Sequence, residues 1–111
     1  MNKKYIIKKN EEIHNIIKIG KKLINKYFVI YKKDNTLSFN RFCVSVSKKY
    51  GNAVLRNKIK RQIKDILMKN TIKDNNDYVI IIRNELINLS YKDKDESLLN
   101  LLKGEIKWKR K

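Results

Sequence analysis

The stretch most informative about the fold is residues 48–64, KKYGNAVLRNKIKRQIK. This stretch ends a longer segment, residues 35–64, that contains eight lysines and arginines and no aspartate or glutamate. Like charges at this density repel one another, and the repulsion opposes folding unless a polyanion neutralises it. The segment therefore predicts a surface that binds a polyanion.

The same stretch has the period of an amphipathic helix from about Leu55 onward. Its apolar residues recur at positions i, i+4, i+7 and i+8: Ile59, Ile63, Ile66 and Leu67. At about 100° per residue these four form one face, and cations fan out along one flank of it. Those cations are Lys60, Arg61 and Lys64. Asn52 follows the flexible Gly51 and is predicted to cap the helix start.

The composition of the whole chain indicates the same kind of partner. Its 111 residues include 28 lysines and arginines against 11 aspartates and glutamates, which gives a formal net charge of +17. Because 41% of the residues are hydrophobic, we expect one folded domain rather than a disordered basic tail. A charge balance this basic points first to nucleic acid.

We expect no membrane partner for this chain. No apolar run approaches the ~18 residues that a membrane span needs, and no signal-peptide pattern opens the sequence. The single cysteine, Cys43, excludes an internal disulfide and fits the cytosol. We interpret it as a small buried strand residue.

Taken in order, the chain predicts a small α+β domain. We divide it into a loosely ordered basic arm (residues 1–9), the domain itself (residues 10–104) and a basic tail (residues 105–111). Within the domain we predict a first helix, strands over 21–31 and 41–47, the basic helix, a buried strand over 78–82 and a final helix. The predicted order is α-β-β-β-α-β-α, with the helices packed on a mixed sheet of about four strands.

The strand over residues 41–47 alternates between two faces. One face carries large apolar residues, and the other carries small thiol and hydroxyl groups: Cys43, Ser45 and Ser47. A face of small groups beside a basic loop leaves room for a ligand. Ordinary half-buried strand alternation explains the pattern equally well, so both interpretations stay open at this point.

Residues 48–61 closely resemble, without a gap, the signature of the bacterial ribonuclease P protein component. In that family an Arg-Asn-Arg motif lies in such a loop and helix, and the matching residues here are Arg56, Asn57 and Lys58. Lys58 keeps the charge of the usual second arginine but lacks the planar fork that binds a phosphate through two hydrogen bonds. The resemblance covers about residues 8–103. It implies that the basic helix joins two parallel strands by a left-handed crossover, against the usual right-handed sense.

The resemblance also implies a surface that binds the catalytic RNA subunit, ribonuclease P RNA, through its phosphates. The matching residues are Lys48, Lys49, Asn52, Arg56, Asn57, Lys58, Lys60, Arg61 and Lys64.

A second implied surface is a cleft between the first helix and the sheet, which holds the single-stranded 5′ leader of precursor tRNA. The matching residues are Ile13, Ile17, Tyr31, Ser45, Ser47 and Arg83. The family usually has aromatic residues at the positions of Ile13 and Ile17. A base stacks on an aromatic ring for ~1–3 kcal/mol, and we expect an aliphatic contact to give less. Cys43 replaces a usual glycine and is expected to narrow the cleft.

The residues predict no hydrolytic centre in the polypeptide. Phosphodiester hydrolysis by side chains needs clustered carboxylates that hold a metal, or a poised histidine pair. The 11 acids are dispersed and His14 is the only histidine, so we predict no catalytic residue and no metal ligand. The resemblance implies that the RNA subunit is the catalyst and holds Mg²⁺, while the protein assists leader removal as an auxiliary subunit in the cytoplasm.

Two other interpretations compete with this one. A structural RNA-binding protein of the ribosomal type, with no role in catalysis, has the same kind of composition, and the ungapped signature disfavours it. A DNA-binding regulator needs a second short helix just before the basic one. Here a strand pattern precedes the basic helix, so no DNA partner is expected.

Overall fold

The computed structural model describes residues 2–70 and 75–103. The helices are α1 (Asn10–Ile19), α2 (Ala53–Lys69) and α3 (Tyr91–Lys103). The strands are β1 (Lys21–Ile24), β2 (Phe28–Asp34), β3 (Arg41–Val46) and β4 (Asn76–Ile82). Short 3₁₀ turns lie at Lys3–Tyr5, Lys48–Tyr50 and Asn84–Asn88. The predicted order of helices and strands is confirmed.

The four strands form one mixed sheet in the order β1-β2-β4-β3. β2 pairs antiparallel with both β1 and β4, whereas β3 and β4 run parallel. Parallel neighbours need a long crossover connection, and α2 lies in the connection between these two. The predicted α+β fold is thus confirmed, while the left-handed sense of the crossover stays a prediction.

One face of the sheet carries the larger core. There α2 and α3 pack on buried strand residues that include Phe28, Tyr78 and Ile80. The predicted apolar stripe of α2 is confirmed, because its four residues are all at most 2% exposed: Ile59, Ile63, Ile66 and Leu67. Burying a side chain of this size stabilises the fold by ~1.5–3 kcal/mol. The stripe therefore fixes which side of α2 faces the sheet and which sides stay available for a partner.

The opposite face of the sheet, which we call the α1 face, is covered only in part. Ile16 of α1 packs there with Val79 of β4 and with Ile7. Gly20 ends α1 in close contact with β2, since a Cβ on this residue would lie 2.8 Å from the carbonyl oxygen of Lys32. This close approach holds the end of α1 against one part of the sheet and leaves the rest of the face open.

The N-terminal segment differs from the prediction. Ile6 forms a parallel bridge with Phe42, and the backbone N–H of Ile7 donates to the Phe42 carbonyl oxygen at 2.9 Å. Tyr5 packs edge-on against Phe39, with ring centroids 5.5 Å apart. The prediction of a loosely ordered arm is wrong for these residues, because apolar side chains between the lysines find a place beside the edge strand β3. The predicted basic tail, residues 105–111, lies outside the described residues.

Candidate nucleic-acid interface

The loop before α2 is a turn with its own hydrogen bonds, and it fixes where the basic helix begins. Ser47 Oγ accepts a hydrogen bond from the Lys49 backbone N–H at 3.1 Å and caps the 3₁₀ turn. Gly51 follows with φ +155°, a conformation that favours glycine. The side chain of Asn52 accepts a hydrogen bond from the Leu55 N–H at 3.0 Å, which confirms the predicted helix cap. The two lysines of the loop are exposed.

The predicted RNA-subunit residues of α2 spread around the exposed part of the helix. The half-buried ones recur at every fourth position: Arg56, Lys60 and Lys64. The exposed ones are Asn57, Lys58 and Arg61. The predicted fan of cations away from the apolar stripe is therefore present, from half-buried Lys60 and Lys64 to exposed Arg61.

Three of these cations come together along one open groove on the outside of α2. Lys58, Arg61 and Lys64 line this groove, which has a volume of about 640 Å³. Arg61 brings a planar, permanently charged fork, and the two lysines bring mobile point charges. An open groove with three cations suits the phosphate backbone of a nucleic acid.

A carboxylate, that of Asp65, also lines the α2 groove. Its Oδ2 lies 3.0 Å from Lys69 Nζ and accepts a hydrogen bond from the Tyr91 hydroxyl at 3.1 Å. These two partners lower the pKa of Asp65. Because the aspartate already has a cationic partner of its own, it does not cancel the charge of the three groove cations.

On the α1 face, the strand registers align side chains into rows that cross the sheet. The first row consists of Lys22, Tyr31, Val79 and Cys43. The second row consists of Ile24, Val29, Ile81 and Ser45. Ile13 and Ile16 of α1 lie in one cluster with three residues of the first row. The second row, which we call the open row, is exposed at both ends, since Ile24 is 53% exposed and Ser45 is exposed as well.

Four of the six predicted leader residues thus lie around one surface. Ile13 packs at the first row, and Ile17 follows one turn later on α1 with 37% of its surface exposed. Tyr31 lies in the first row, where the Nζ of Lys22 is 6.0 Å from its ring centroid. Ser45 lies in the open row. Lys22 was not predicted as a site residue, because its place beside Tyr31 depends on the β1–β2 register.

The other two predicted leader residues, Ser47 and Arg83, lie one position beyond the last pair of β3 and β4, Val46 and Ile82. Ser47 Oγ caps the 3₁₀ turn Lys48–Tyr50, so this residue lies at the junction between β3 and the loop that leads to α2. Arg83 is anchored through its backbone N–H, which donates to the Tyr27 carbonyl oxygen at 2.9 Å. Its side chain lies 3.8 Å from Glu85, a partly exposed ion pair that contributes little to stability.

Cys43 lies where the two predicted surfaces approach each other. The thiol is half-buried in the first row of the α1 face. Burial raises its pKa, while the positive charges of Lys64 and Lys60 act in the opposite direction. Lys60 and Lys64 of α2 therefore lie near enough to β3 to act on Cys43.

One cation of the acid-free segment, Arg41, is already neutralised within the fold. Its guanidinium contacts Asp77 at 2.7 Å and Glu12 at 3.2 Å. Asp77 also accepts a hydrogen bond from Asn35 at 2.9 Å. The hydrogen bonds that Arg41 donates to Asp77 raise the pKa of Arg41 above its ordinary value. Arg41 therefore stabilises the fold. The other cations of residues 35–64, those of the loop before α2 and of α2 itself, remain available to a polyanion.

Two structural observations bear on other classes of function. Within residues 2–70 and 75–103, no three histidine, cysteine, aspartate or glutamate side chains converge into a group that could hold a metal ion. In the same described part of the chain, no helix has the length and apolar content that a membrane crossing requires.

The fold and these surfaces define a small, basic α+β protein of the RNA-binding class: a cationic helix and loop beside an open sheet face. The family model described as Ribonuclease P matches residues 1–105. The chain belongs to the ribonuclease P protein family.

Individual relatives agree with this membership. The chain is similar to the ribonuclease P protein component of Mycoplasma mycoides subsp. mycoides SC, with 45% identity over 96% of this chain and 100% of the relative. It is also similar to two solved structures. One is a Staphylococcus aureus RNase P protein mutant with defective mRNA degradation activity, with a TM-score of 0.86 and 38% identity over 91% of this chain and 87% of the other. The other is the RNase P protein from Thermotoga maritima, with a TM-score of 0.81 and 34% identity over 87% and 94%.

Proposed function

We propose that this chain is the protein subunit of ribonuclease P, binding the catalytic RNA subunit and the 5′ leader of precursor tRNA. The observation that carries the proposal is the placement of Arg56, Asn57 and Lys58 at the start of a capped helix. Two of these residues are exposed, and the helix continues into a groove lined by further cations. The sequence match and the surface geometry thus coincide at the same residues.

The RNA subunit is assigned to the loop and to α2. Phosphate contacts by lysine and arginine release counterions, so they supply affinity without reading sequence. Arg61 and Arg56 are suited to bidentate contacts, whereas Lys58 contributes charge alone. Nine residues carry this role in the proposal: Lys48, Lys49, Asn52, Arg56, Asn57, Lys58, Lys60, Arg61 and Lys64.

The leader is assigned to the α1 face. The open row offers apolar contact at Ile81 and a hydroxyl at Ser45, while Ile13 lies in one cluster with Ile81 and Ile17 follows one turn later on α1. Single-stranded RNA is bound by base contact with such platforms together with nearby cations. Because isoleucines stand where an aromatic ring would stack, we expect the chain to hold the leader by shape and backbone, with little preference for base sequence.

Mg²⁺ is assigned to the RNA subunit rather than to this chain. Magnesium prefers carboxylate oxygens and water in octahedral geometry. Asp65, which lines the α2 groove, is already paired with Lys69, and Asp77 is paired with Arg41. Among residues 2–70 and 75–103 no group of side chains suits Mg²⁺, so we expect the protein to contribute charge neutralisation and substrate positioning, in the cytoplasm, and no step of hydrolysis.

The test is reconstitution with the ribonuclease P RNA of the same organism and precursor tRNA. We expect the protein to increase 5′ cleavage at low Mg²⁺ concentration and to tighten binding of precursor over mature tRNA. A structural RNA-binding protein of the ribosomal type would bind the RNA and leave both quantities unchanged. That result, obtained with the protein demonstrably bound, would overturn the proposal.

A further inference from the structure

The groove along α2 continues into a narrower pocket toward the N-terminal half of the helix. This pocket has a volume of about 140 Å³ and shares Lys58 and Gln62 with the groove. At ~30 Å³ per water molecule, it has space for four to five waters, which is the scale of a single ring system rather than of a base pair. We call it the α2–α3 pocket, since Lys94 of α3 forms its other side.

The walls of the α2–α3 pocket are apolar and partly open to solvent. Tyr50 and Ile59 are buried at 6% and 1% exposure. Leu55 and Ile87, which also line the pocket, are 40% and 46% exposed. Exposed apolar side chains around a concave site indicate a binding surface more than scattered exposed residues do.

Two cations meet across this apolar opening. Lys94 Nζ donates a hydrogen bond to Gln62 Oε1 at 3.4 Å, and Lys58 lies close enough to repel it. Burial and the charge of Lys58 both lower the pKa of Lys94. No carboxylate is among the described residues that line the pocket. Two like charges held together without an acidic partner favour the arrival of an anion between them.

An apolar slot with a pair of cations at its mouth suits a nucleotide, which combines a flat base with an anionic phosphate. We propose that the α2–α3 pocket binds one unpaired nucleotide of the RNA subunit, with the base between Leu55 and Ile87 and the phosphate between Lys58 and Lys94. This inference rests on the proposed function, and it names a site on α3 that the basic helix alone does not include.

Continuity with the α2 groove favours RNA over a free small molecule. A strand whose phosphates follow Arg61 and Lys64 reaches Lys58, which belongs to both the groove and the pocket. The next base along that strand then lies at the pocket entrance. Unpaired bases that leave the stack are the usual targets of protein side chains in RNA.

The experiment compares Lys94→Ala, Ile87→Ser and the wild-type protein in complex with the RNA subunit. We expect about tenfold weaker binding for Lys94→Ala, which loses a phosphate contact. For Ile87→Ser we expect about fivefold, since an aliphatic contact lies at the lower end of the ~1–3 kcal/mol of one base contact. Chemical probing of the RNA bases should show one unpaired base that the wild-type protein protects and that both variants leave reactive.

Lys92→Ala is the matched control, because Lys92 is exposed on the same helix and its removal changes the net charge equally. We expect it to stay within about twofold of wild type and to keep the protected base. Ile87 is nearly half exposed, so its variant should fold even if Lys94→Ala does not. Unchanged base protections in both pocket variants would overturn the inference alone, whereas failure of the wild-type protein to bind the RNA would overturn the proposed function.

Discussion

The guanidinium of Arg41 donates two hydrogen bonds to the carboxylate of Asp77, from Nε to Oδ1 at 2.9 Å and from Nη2 to Oδ2 at 2.7 Å. The two residues are register partners, the first aligned pair of the parallel strands β3 and β4. Burial alone would raise the pKa of Asp77, but the hydrogen bonds from Arg41 and Asn35 outweigh it and hold the pKa below its ordinary value. The pair thus fixes the register that places Ser45 beside Ile81 on the α1 face.

The first prediction concerns the stability that this pair provides. Asp77→Asn should lower the free energy of unfolding at pH 7 by ~2–4 kcal/mol, because it leaves the mostly buried Arg41 charge with only Glu12 as partner. Since the folded-state pKa of Asp77 is lowered, its contribution is complete above the ordinary value of 3.8 and is lost as the pH falls through the folded-state value. Urea unfolding between pH 7 and pH 2.5 measures both effects.

Asp34→Asn is the control for this prediction, since Asp34 is an exposed carboxylate at the end of β2. We expect it to change the free energy of unfolding by less than ~0.5 kcal/mol. The stability difference between Asp77→Asn and the wild type should shrink below about pH 4. Equal stability of the two variants at pH 7 would show that the Arg41 pair is not a structural clamp.

Periodicity explains why most of the fold was predictable from the sequence. The spacing of Ile59, Ile63 and Ile66 is a local property of the chain, and the only burial it permits is against a sheet or another helix. The continuous apolar run of β4 likewise predicted a central strand, and β4 lies between β2 and β3 in the sheet. For these elements local preference and tertiary packing agree, and the structure confirms them.

Contacts between distant positions explain what the sequence did not show. Arg41 finds its partners 36 positions ahead at Asp77 and 29 positions behind at Glu12, and no local pattern pairs them. Ile7 is buried although lysines follow it directly, because the edge of β3 happens to lie within reach. The acid-free segment was therefore interpreted as a surface for a polyanion although Arg41 within it is paired inside the fold, and the apolar residues of the N-terminal arm were predicted to be loosely ordered.

The candidate site, too, was predictable where it depends on local sequence pattern and not where it depends on tertiary contacts. Strand alternation places Cys43 and Ser45 on one face of β3, and the resemblance supplied their proposed use. The use of Ser47 as a cap for the basic loop, and the meeting of Lys94 with Lys58, depend on how loops and α3 fold back. These features appear only once the elements are packed.

The second prediction concerns the α2 cations. Arg56→Ala and Arg61→Ala should each weaken binding of the RNA subunit, and each lost phosphate contact should flatten the slope of log affinity against log salt by about one unit. Filter binding or fluorescence titration across a range of KCl concentrations measures the slope. Unchanged affinity and slope in both variants would remove α2 from the interface.

Conservative variants separate charge from geometry at the same positions. Arg56→Lys and Arg61→Lys keep the charge but lose the planar fork, so we expect weaker binding with an almost unchanged salt slope. Lys92→Ala, which removes an exposed charge from α3, should alter neither quantity by more than a small amount. A slope change in Lys92→Ala equal to that of Arg61→Ala would mean that net charge alone determines affinity.

The third prediction is that the isolated polypeptide does not cleave RNA. The described residues provide no carboxylate cluster for a metal and no histidine pair for proton transfer. Purified protein incubated with precursor tRNA and Mg²⁺ should give no product above the buffer control, and addition of the RNA subunit should produce the mature 5′ end. Specific cleavage that survives nuclease removal of copurifying RNA would contradict this prediction.

The last prediction concerns the leader. Ile17 is 37% exposed on α1 and follows by one turn Ile13, which packs on the α1 face. Ile17→Phe offers a stacking surface worth up to ~1–3 kcal/mol, so it should preserve or strengthen the preference for substrates with a leader. Ile17→Asp adds a negative charge beside the phosphate backbone and should reduce that preference while leaving affinity for the RNA subunit unchanged.

The measurement is the ratio of affinities for a long-leader precursor and a leaderless tRNA, with the RNA subunit alone and with the holoenzyme. Ile19→Asp is the control, because Ile19 is exposed on the same helix but lies about 200° away from Ile17 around its axis. It introduces the same charge at another face, so the ratio should remain that of the wild type. If the protein leaves the ratio unchanged, or if Ile19→Asp lowers it as much as Ile17→Asp does, the α1 face is core packing with a solvent-exposed edge. The leader must then be bound elsewhere, since a surface that contacts it cannot be insensitive to a carboxylate placed in its path.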